Sequence, residues 1–517
     1  MADFTFAELT PTDFLRRSAE VHGDRTAIVD GERTFTYREF WARAQALTGV
    51  LAGAAVGPGD RVAALCTNSS TMLEVHNGVP LAGAVLVPLN VRLSVPELGY
   101  VLEHSGARLL LATPDLADRA AEAAAAAGIR LVVAGAGSEY EQLLADAEPR
   151  PVPCADERGL LGINYTSGTT GRPKGVMVHH RGAYLQSLAL TVHTGMHGRS
   201  SYLWTLPMFH CNGWCLTWGV TALGATHVCL PAIDVGRIWS LLRAGAVTHF
   251  SAAPTVLSML AAAPEAGDGP LPHRVAVQTG GAPPTPALLD RLDRLGLDVL
   301  HLYGLTETFG PIAVNDWQPA WDELPVAERA RLRARQGVGN VIATPLRVVD
   351  EQGADIARDG VTVGEIVARG NDVMLGYYRD ERATAAATVD GWFRTGDLGV
   401  SYPDGYVEIR DRAKDVIISG GENIASVEVE RAIDAHPDVV ESAVVAAPDE
   451  RWGEVPVAYV TVRSGATLTA EDLVSFLRGT LAGFKIPRRV HLADLPKTST
   501  GKIEKAVLRA RLREEDK

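Results

Sequence analysis

Short apolar runs alternate with helical stretches through most of this chain. Residues 61–66, 84–88, 109–112 and 131–134 form one series, and residues 202–206, 226–230, 249–252, 275–279 and 297–303 form a second. Such strands are apolar without alternating, as expected of strands buried on both faces. Strands separated by helices predict parallel sheets covered by helices. Two series therefore predict two helix-covered sheets in a large N-terminal α/β domain. A hairpin signal, Asp30-Gly31, lies within residues 26–37. At 517 residues the chain exceeds what one core organises, so more than one domain is expected.

The pattern changes at Val338. Short strands now meet at turns such as Asp350-Glu351-Gln352-Gly353 and Asp404-Gly405. This predicts a β-rich subdomain over about 338–413, completing a large domain of residues 1–413. The charged connector 409–415 leads into a small, mobile α+β domain over 414–517. Its expected elements are strands at 416–419, 439–447 and 455–462 and helices at 426–435 and 469–480. Residues 317–336 read as a surface helix or helical hairpin inserted between sheet elements.

The net charge of −13 argues against nucleic acid as a partner, because a phosphate backbone demands a basic footprint. No apolar run is long enough to span a bilayer. The N-terminus lacks a basic segment followed by an apolar one, so the cytoplasm is the default address. Five cysteines, Cys66, Cys154, Cys211, Cys215 and Cys229, are too sparse for a disulfide framework and read as free thiols. Dimers being the commonest soluble assembly, a homodimer is the default.

The strongest local signal is Thr166-Ser167-Gly168-Thr169-Thr170-Gly171-Arg172-Pro173-Lys174-Gly175. Its glycines allow a close approach of backbone to ligand. Its hydroxyls can bond phosphate oxygens or a metal, its successive N–H groups can form an anion nest, and Lys174 adds a point charge. It follows an apolar segment and should leave a strand. It is not the G-x-x-x-x-G-K-[ST] loop, since neither Ser nor Thr follows Lys174.

Further motifs follow in order. Gly280-Gly281-Ala282-Pro283 comes after a strand, and Tyr303-Gly304-Leu305-Thr306-Glu307 ends one. An aromatic such as Tyr303 can cover a base, Thr306 can hold a phosphate, and Glu307 can bind Mg²⁺. Thr395-Gly396-Asp397 offers a carboxylate to paired hydroxyls. Arg412, Lys414 and Ser419-Gly420-Gly421-Glu422-Asn423 lie near the domain junction, and Thr498-Ser499-Thr500-Gly501-Lys502 lies near the C-terminus.

This set resembles the adenylate-forming superfamily of acyl-CoA synthetases, adenylation domains and luciferases, over essentially the whole chain. The resemblance implies ATP and Mg²⁺ as cofactors, a carboxylic acid substrate and CoA as co-substrate. It assigns the nucleotide to Thr166, Ser167, Gly168, Thr169, Thr170, Lys174, Gly281, Ala282, Tyr303, Gly304, Thr306, Asp397 and Arg412, and the metal to Glu307. Asp397 and Arg412 would take the ribose. Lys502 would stabilise the charge that develops when a carboxylate attacks the α-phosphate. Lys414 would be the hinge, and Gly420 and Gly421 would border the CoA channel.

The segment Pro207-Met208-Phe209-His210-Cys211-Asn212-Gly213-Trp214 resembles a subgroup of ligases for short- and medium-chain, thioether-bearing or aryl acids. It places His210 where the acyl and thiol channels begin, as a catalytic candidate with Glu307 and Lys502. The acyl pocket is expected from His210, Trp214, Gly281, Thr308 and Phe309. Trp214, Phe309 and Pro311 point to limited depth and a medium-chain or aryl acid. Two alternatives keep the same nucleotide motifs: loading of a free-standing carrier protein, and adenylation of an unusual acid such as nitrite for diazotisation of an amine.

Overall fold

The computed structural model describes residues 6–166, 172–281, 284–412, 415–419, 422–449, 452–463, 465–478, 480–498 and 501–515. Among these the two expected sheets are present. The six-stranded sheet runs Arg130–Val133, Ala107–Ala112, Arg61–Leu65, Val85–Pro88, Leu160–Thr166, Lys174–His179. Its pairings are parallel except the last, where Lys174–His179 folds back antiparallel on Leu160–Thr166. Val85–Pro88 is buried throughout, as its unbroken apolar run requires.

The nine-stranded sheet is centred on Ser201–Trp204, His249–Ser251, Val275–Thr279 and Leu297–Leu305, paired in parallel. The N-terminal hairpin closes one edge, because Thr26–Asp30 pairs in parallel with Thr226–Cys229. Tyr37 does not belong to that hairpin. It opens the helix Tyr37–Gly53, which Thr36 caps: its Oγ1 accepts from the Glu39 N–H, and the Glu39 carboxylate accepts from the Thr36 N–H at 2.8 Å. One core cluster contains Leu86 and Leu111 of the first sheet with Tyr202 and Trp204 of the second, so the sheets share a core.

The β-rich region is an antiparallel sheet of Arg347–Val349, Gly364–Ala368, Thr388–Val389, Trp392–Ser401 and Val407–Arg412. Val338–Gly339 is not part of it. That strand pairs with Gly310–Val314 and extends the nine-stranded sheet. The insertion is a 3₁₀ turn, Pro319–Glu323, followed by the helix Val326–Arg333.

Beyond residue 415 two further core clusters draw only on residues between Ile417 and Leu512. They pack around Val439–Asp449 and Gly453–Val462 with the helices Ser426–Asp434, Ala470–Leu477 and Lys505–Glu515. Arg489–Leu492, an added parallel strand, and the last helix had no periodic signal strong enough to announce them. Among the described residues no helix is long and apolar enough to cross a membrane.

Candidate active site

The candidate residues gather where strands of both sheets end, which is where open α/β sheets bind ligands. Thr166 ends one strand and Lys174 begins the next, and the two are register partners, so they flank the candidate phosphate loop. Ser167, Gly168, Thr169 and Thr170 lie outside the described residues, as do Ala282, Lys414, Gly420 and Gly421.

The Lys174 ammonium lies 4.7 Å from the centre of the Tyr377 ring. The Tyr377 hydroxyl donates to Glu307 Oε1 at 2.8 Å. One tyrosine thus links the phosphate-loop cation to the metal-ligand candidate. Burial, reinforced by the Glu307 charge, drives the Tyr377 phenol well above its ordinary range, so it stays a donor. Sequence reasoning missed Tyr377: Gly376-Tyr377-Tyr378 has no motif character, and only the fold brings it to Glu307.

Glu307 sits in the 3₁₀ turn Thr306–Thr308, between the strands Leu297–Leu305 and Gly310–Val314. Its carbonyl accepts from the Met374 N–H at 2.9 Å, while its carboxylate meets Tyr377 at Oε1. No group of three or more metal-ligating side chains occurs among the described residues. One carboxylate beside a phosphate loop fits Mg²⁺, which typically takes one or two carboxylates together with substrate phosphates. Thr306 lies next to Cys211, whose sulfur is 3.6 Å from its Oγ1.

Gly304 has a steric reason. A Cβ there would lie 1.9 Å from the Gly310 carbonyl oxygen, so only glycine lets the two strands pass.

Tyr303, Asp397 and Arg412 converge from three strands. The Tyr303 hydroxyl donates to Asp397 Oδ2 at 2.7 Å, and Arg412 Nε is 3.0 Å from Oδ1. Asp397 is 2 % exposed, and the two contacts hold its carboxylate in place. Burial first, and then the Asp397 charge, raises the Tyr303 phenol.

The acyl side is built on an unusual backbone. Residues 211–215 all have positive φ, from 49° to 62°. A left-handed turn costs about 1–2 kcal/mol per non-glycine residue, so it persists only where its surroundings hold it. Asn212 Nδ2 donates to Asn164 Oδ1 at 3.0 Å, Thr217 Oγ1 to the Asn212 carbonyl at 3.1 Å, and Ser187 Oγ to the Cys215 carbonyl at 2.9 Å.

The turn aims the Trp214 indole between two glycines. A Cβ at Gly310 would be 3.0 Å from the ring, and one at Gly280 3.4 Å. His210 precedes the turn. Burial lowers its imidazole to about 4, and the nearby Lys502 charge adds to the effect, so it is neutral at working pH.

Two acyl-pocket expectations need correction. Thr308 is fully buried. Its hydroxyl donates to the carbonyls of Leu305 and Gly310 at 3.1 and 2.7 Å and accepts from the Leu305 N–H at 2.9 Å. Its hydroxyl is spent on holding the turn. Phe309, 1 % exposed, packs on the His179 ring at 5.1 Å and joins the core with Trp218 and Val178. Gly281 is exposed with a φ of 86°, at the end of the Val275–Thr279 strand's loop.

Residues 15–378 match the AMP-binding enzyme family, and residues 428–502 match its C-terminal domain. The chain belongs to the AMP-binding enzyme family. A peroxisomal acetate/butyrate–CoA ligase of Arabidopsis thaliana is 43% identical, with 98% of this chain and 95% of that protein covered. An acetate–CoA ligase of Humulus lupulus is 42% identical, with 98% and 95% covered. A 4-hydroxybutyrate–CoA ligase of Metallosphaera sedula is 39% identical, with 98% and 94% covered. Among solved structures, ATP-bound MatB from Rhodopseudomonas palustris superposes with a TM-score of 0.88 at 29% identity, covering 99% of this chain and 100% of that one. In this AMP-binding enzyme both the N-terminal and the C-terminal family regions are therefore present, and the Lys502 turn closes the second.

Proposed function

We propose that this enzyme joins a short carboxylic acid to CoA through an acyl-adenylate. The chain is an AMP-forming acid:CoA ligase that uses ATP. The finer reading assigns roles. Thr166, Lys174 and Thr306 hold phosphates, Asp397 and Arg412 hold the ribose, and Glu307 takes Mg²⁺, which supplies charge neutralisation at the phosphates.

A carboxylate oxygen of the acid attacks the α-phosphorus, and the bond to pyrophosphate breaks. The Lys502 ammonium stabilises the charge that develops there. The mixed anhydride then meets the CoA thiolate, a C–S bond forms at the acyl carbon, and AMP leaves. Neutral His210 lines the acid's path and carries no competing positive charge. Residues 1–413 form the large domain and 414–517 the small one, with Lys414 as hinge and Gly420 and Gly421 beside the thiol. A cytoplasmic homodimer is the expected state.

The observation that carries the short acid is the Trp214 indole between Gly280 and Gly310. With no side chain on either glycine, the ring fills the space a longer chain would need. Relatives named for acetate, butyrate, 2-methylpropanoate and 4-hydroxybutyrate support the same size. The acid thus moves to the short end of the range expected for the subgroup. The test is pyrophosphate release with and without CoA across acetate to palmitate, benzoate- and cinnamate-type acids, and nitrite with an aryl amine. CoA-dependent turnover confined to acids of up to about five carbons is expected. A preference for octanoate or benzoate overturns the size argument. Release without thioester moves the acceptor to a carrier protein or an amine.

A further inference from the structure

We propose that Arg92 is a positioning residue for Lys502, holding the turn that carries this lysine over the active site. The inference rests on the adenylation role proposed for Lys502.

The described residues on either side of the turn are tied together. The Thr498 N–H donates to the Lys502 carbonyl at 2.7 Å, and the Lys502 N–H donates to Thr498 Oγ1 at 3.1 Å. The Gly501 N–H donates to the Thr498 carbonyl at 2.9 Å, and Lys497 and Ile503 form an antiparallel bridge just outside. Whatever grips Thr498 therefore grips the backbone of Lys502.

Arg92 makes that grip from the opposite end of the chain. Its Nη1 donates to the Thr498 carbonyl at 3.2 Å, across 406 positions of sequence. Arg92 follows the strand Val85–Pro88, and its own N–H is fixed by Asn90 Oδ1 at 3.0 Å. The turn has a second seat. Gly501, with a φ of 82°, lies so close to the start of the helix Pro254–Ala262 that a Cβ would be 2.4 Å from Thr255 Oγ1. Arg92 and Thr255 thus belong to two different sheets' connections, and the Lys502 turn rests on both.

Backbone position matters here because a lysine side chain is long and loses much rotamer freedom when fixed. A seated backbone shortens the search for the α-phosphate. Arg92 is exposed, so its single bond is worth little to global stability. Its value lies in the fraction of molecules with Lys502 in place.

The experiment measures both half-reactions on Arg92→Ala, Arg92→Lys and Lys502→Ala. For Arg92→Ala, kcat for pyrophosphate release falls about fivefold, the loss of one partly exposed charged hydrogen bond. The KM values for ATP and acid stay within about twofold, and the melting temperature does not move. Thioester formation from supplied acyl-adenylate keeps its rate, since Lys502 acts in adenylation. Arg92→Lys, which still donates to a carbonyl, lies closer to wild type than to Arg92→Ala. An inactive Lys502→Ala beside an unchanged Arg92→Ala overturns the Arg92 proposal alone. A raised KM for ATP at constant kcat makes Arg92 a ligand contact and overturns it too, as does an equal loss in both half-reactions. Pyrophosphate release by Lys502→Ala overturns the Lys502 reading itself.

Discussion

The Tyr377 hydroxyl donates to Glu307 Oε1 at 2.8 Å while the same ring lies 4.7 Å beneath the Lys174 ammonium. Lys174 and Glu307, the proposed phosphate-loop cation and metal ligand, come from different strands, and this phenol couples them. It ties one oxygen of the Glu307 carboxylate to the ring that lies under Lys174.

Tyr377→Phe keeps the ring under Lys174 and deletes the bond to Glu307. Pyrophosphate release should fall about tenfold, the scale of one hydrogen bond to a charged group, and more Mg²⁺ should be needed for half-maximal rate. Titrating Mg²⁺ against both proteins checks this. Identical curves would show that Glu307 needs no such support.

Trp214→Ala removes the indole between Gly280 and Gly310. The kcat/KM ratio of hexanoate to acetate should rise at least about tenfold, given 1–3 kcal/mol per methylene in an apolar pocket. The left-handed turn stays, held by Asn164 and Ser187. An unchanged ratio would mean that the acid lies elsewhere.

Gly304→Ala forces a Cβ to within 1.9 Å of the Gly310 carbonyl oxygen. The two strands must part, which costs about 1–3 kcal/mol or more for overpacking. The variant should melt several degrees lower and release pyrophosphate slowly, because Tyr303 and Glu307 shift with the strands. Calorimetry and the release assay read both.

The candidate residues that the structure brings together and the sequence could name were those carried by contiguous motifs. Thr166 and Lys174, Tyr303 and Thr306, Asp397 and Arg412 sit within short stretches whose residue types have one chemistry in common. Tyr377 and Arg92 were invisible because each is ordinary in its own stretch, and only chain topology brings them to Glu307 and Thr498. Thr308 and Phe309 were misplaced for another reason. A strand-to-turn junction with Phe309 at a φ of 58° reverses which way side chains point, and that reversal leaves no mark in composition. The fold followed the same rule. Alternating strands and helices were readable, whereas the parallel pairing of Thr26–Asp30 with Thr226–Cys229 was not.

Asp372 is fully buried, with Oδ2 accepting from Asn340 at 3.0 Å and Oδ1 lacking a hydrogen-bond partner among the described residues. Burial pushes its carboxyl up to about 7. Between about pH 4 and 7 the folded chain therefore holds a proton that the unfolded chain has released. This contribution to stability is complete below about pH 4 and is lost as pH rises to 7. Asp372→Asn cannot ionise and escapes the loss. Its melting temperature relative to wild type should rise between pH 5 and pH 8, reflecting roughly 2–4 kcal/mol. A pH-independent difference would show that Asp372 is ionised throughout.

The most direct test is a rapid-quench measurement with ATP, Mg²⁺ and butyrate, first without CoA and then with it. Butyryl-AMP should build up to about one equivalent per active site, disappear when CoA is added as butyryl-CoA and AMP appear in equal amounts, and fail to form in Lys502→Ala. Butyryl-CoA formed without any adenylate, or adenylate formed at the wild-type rate by Lys502→Ala, would contradict the account.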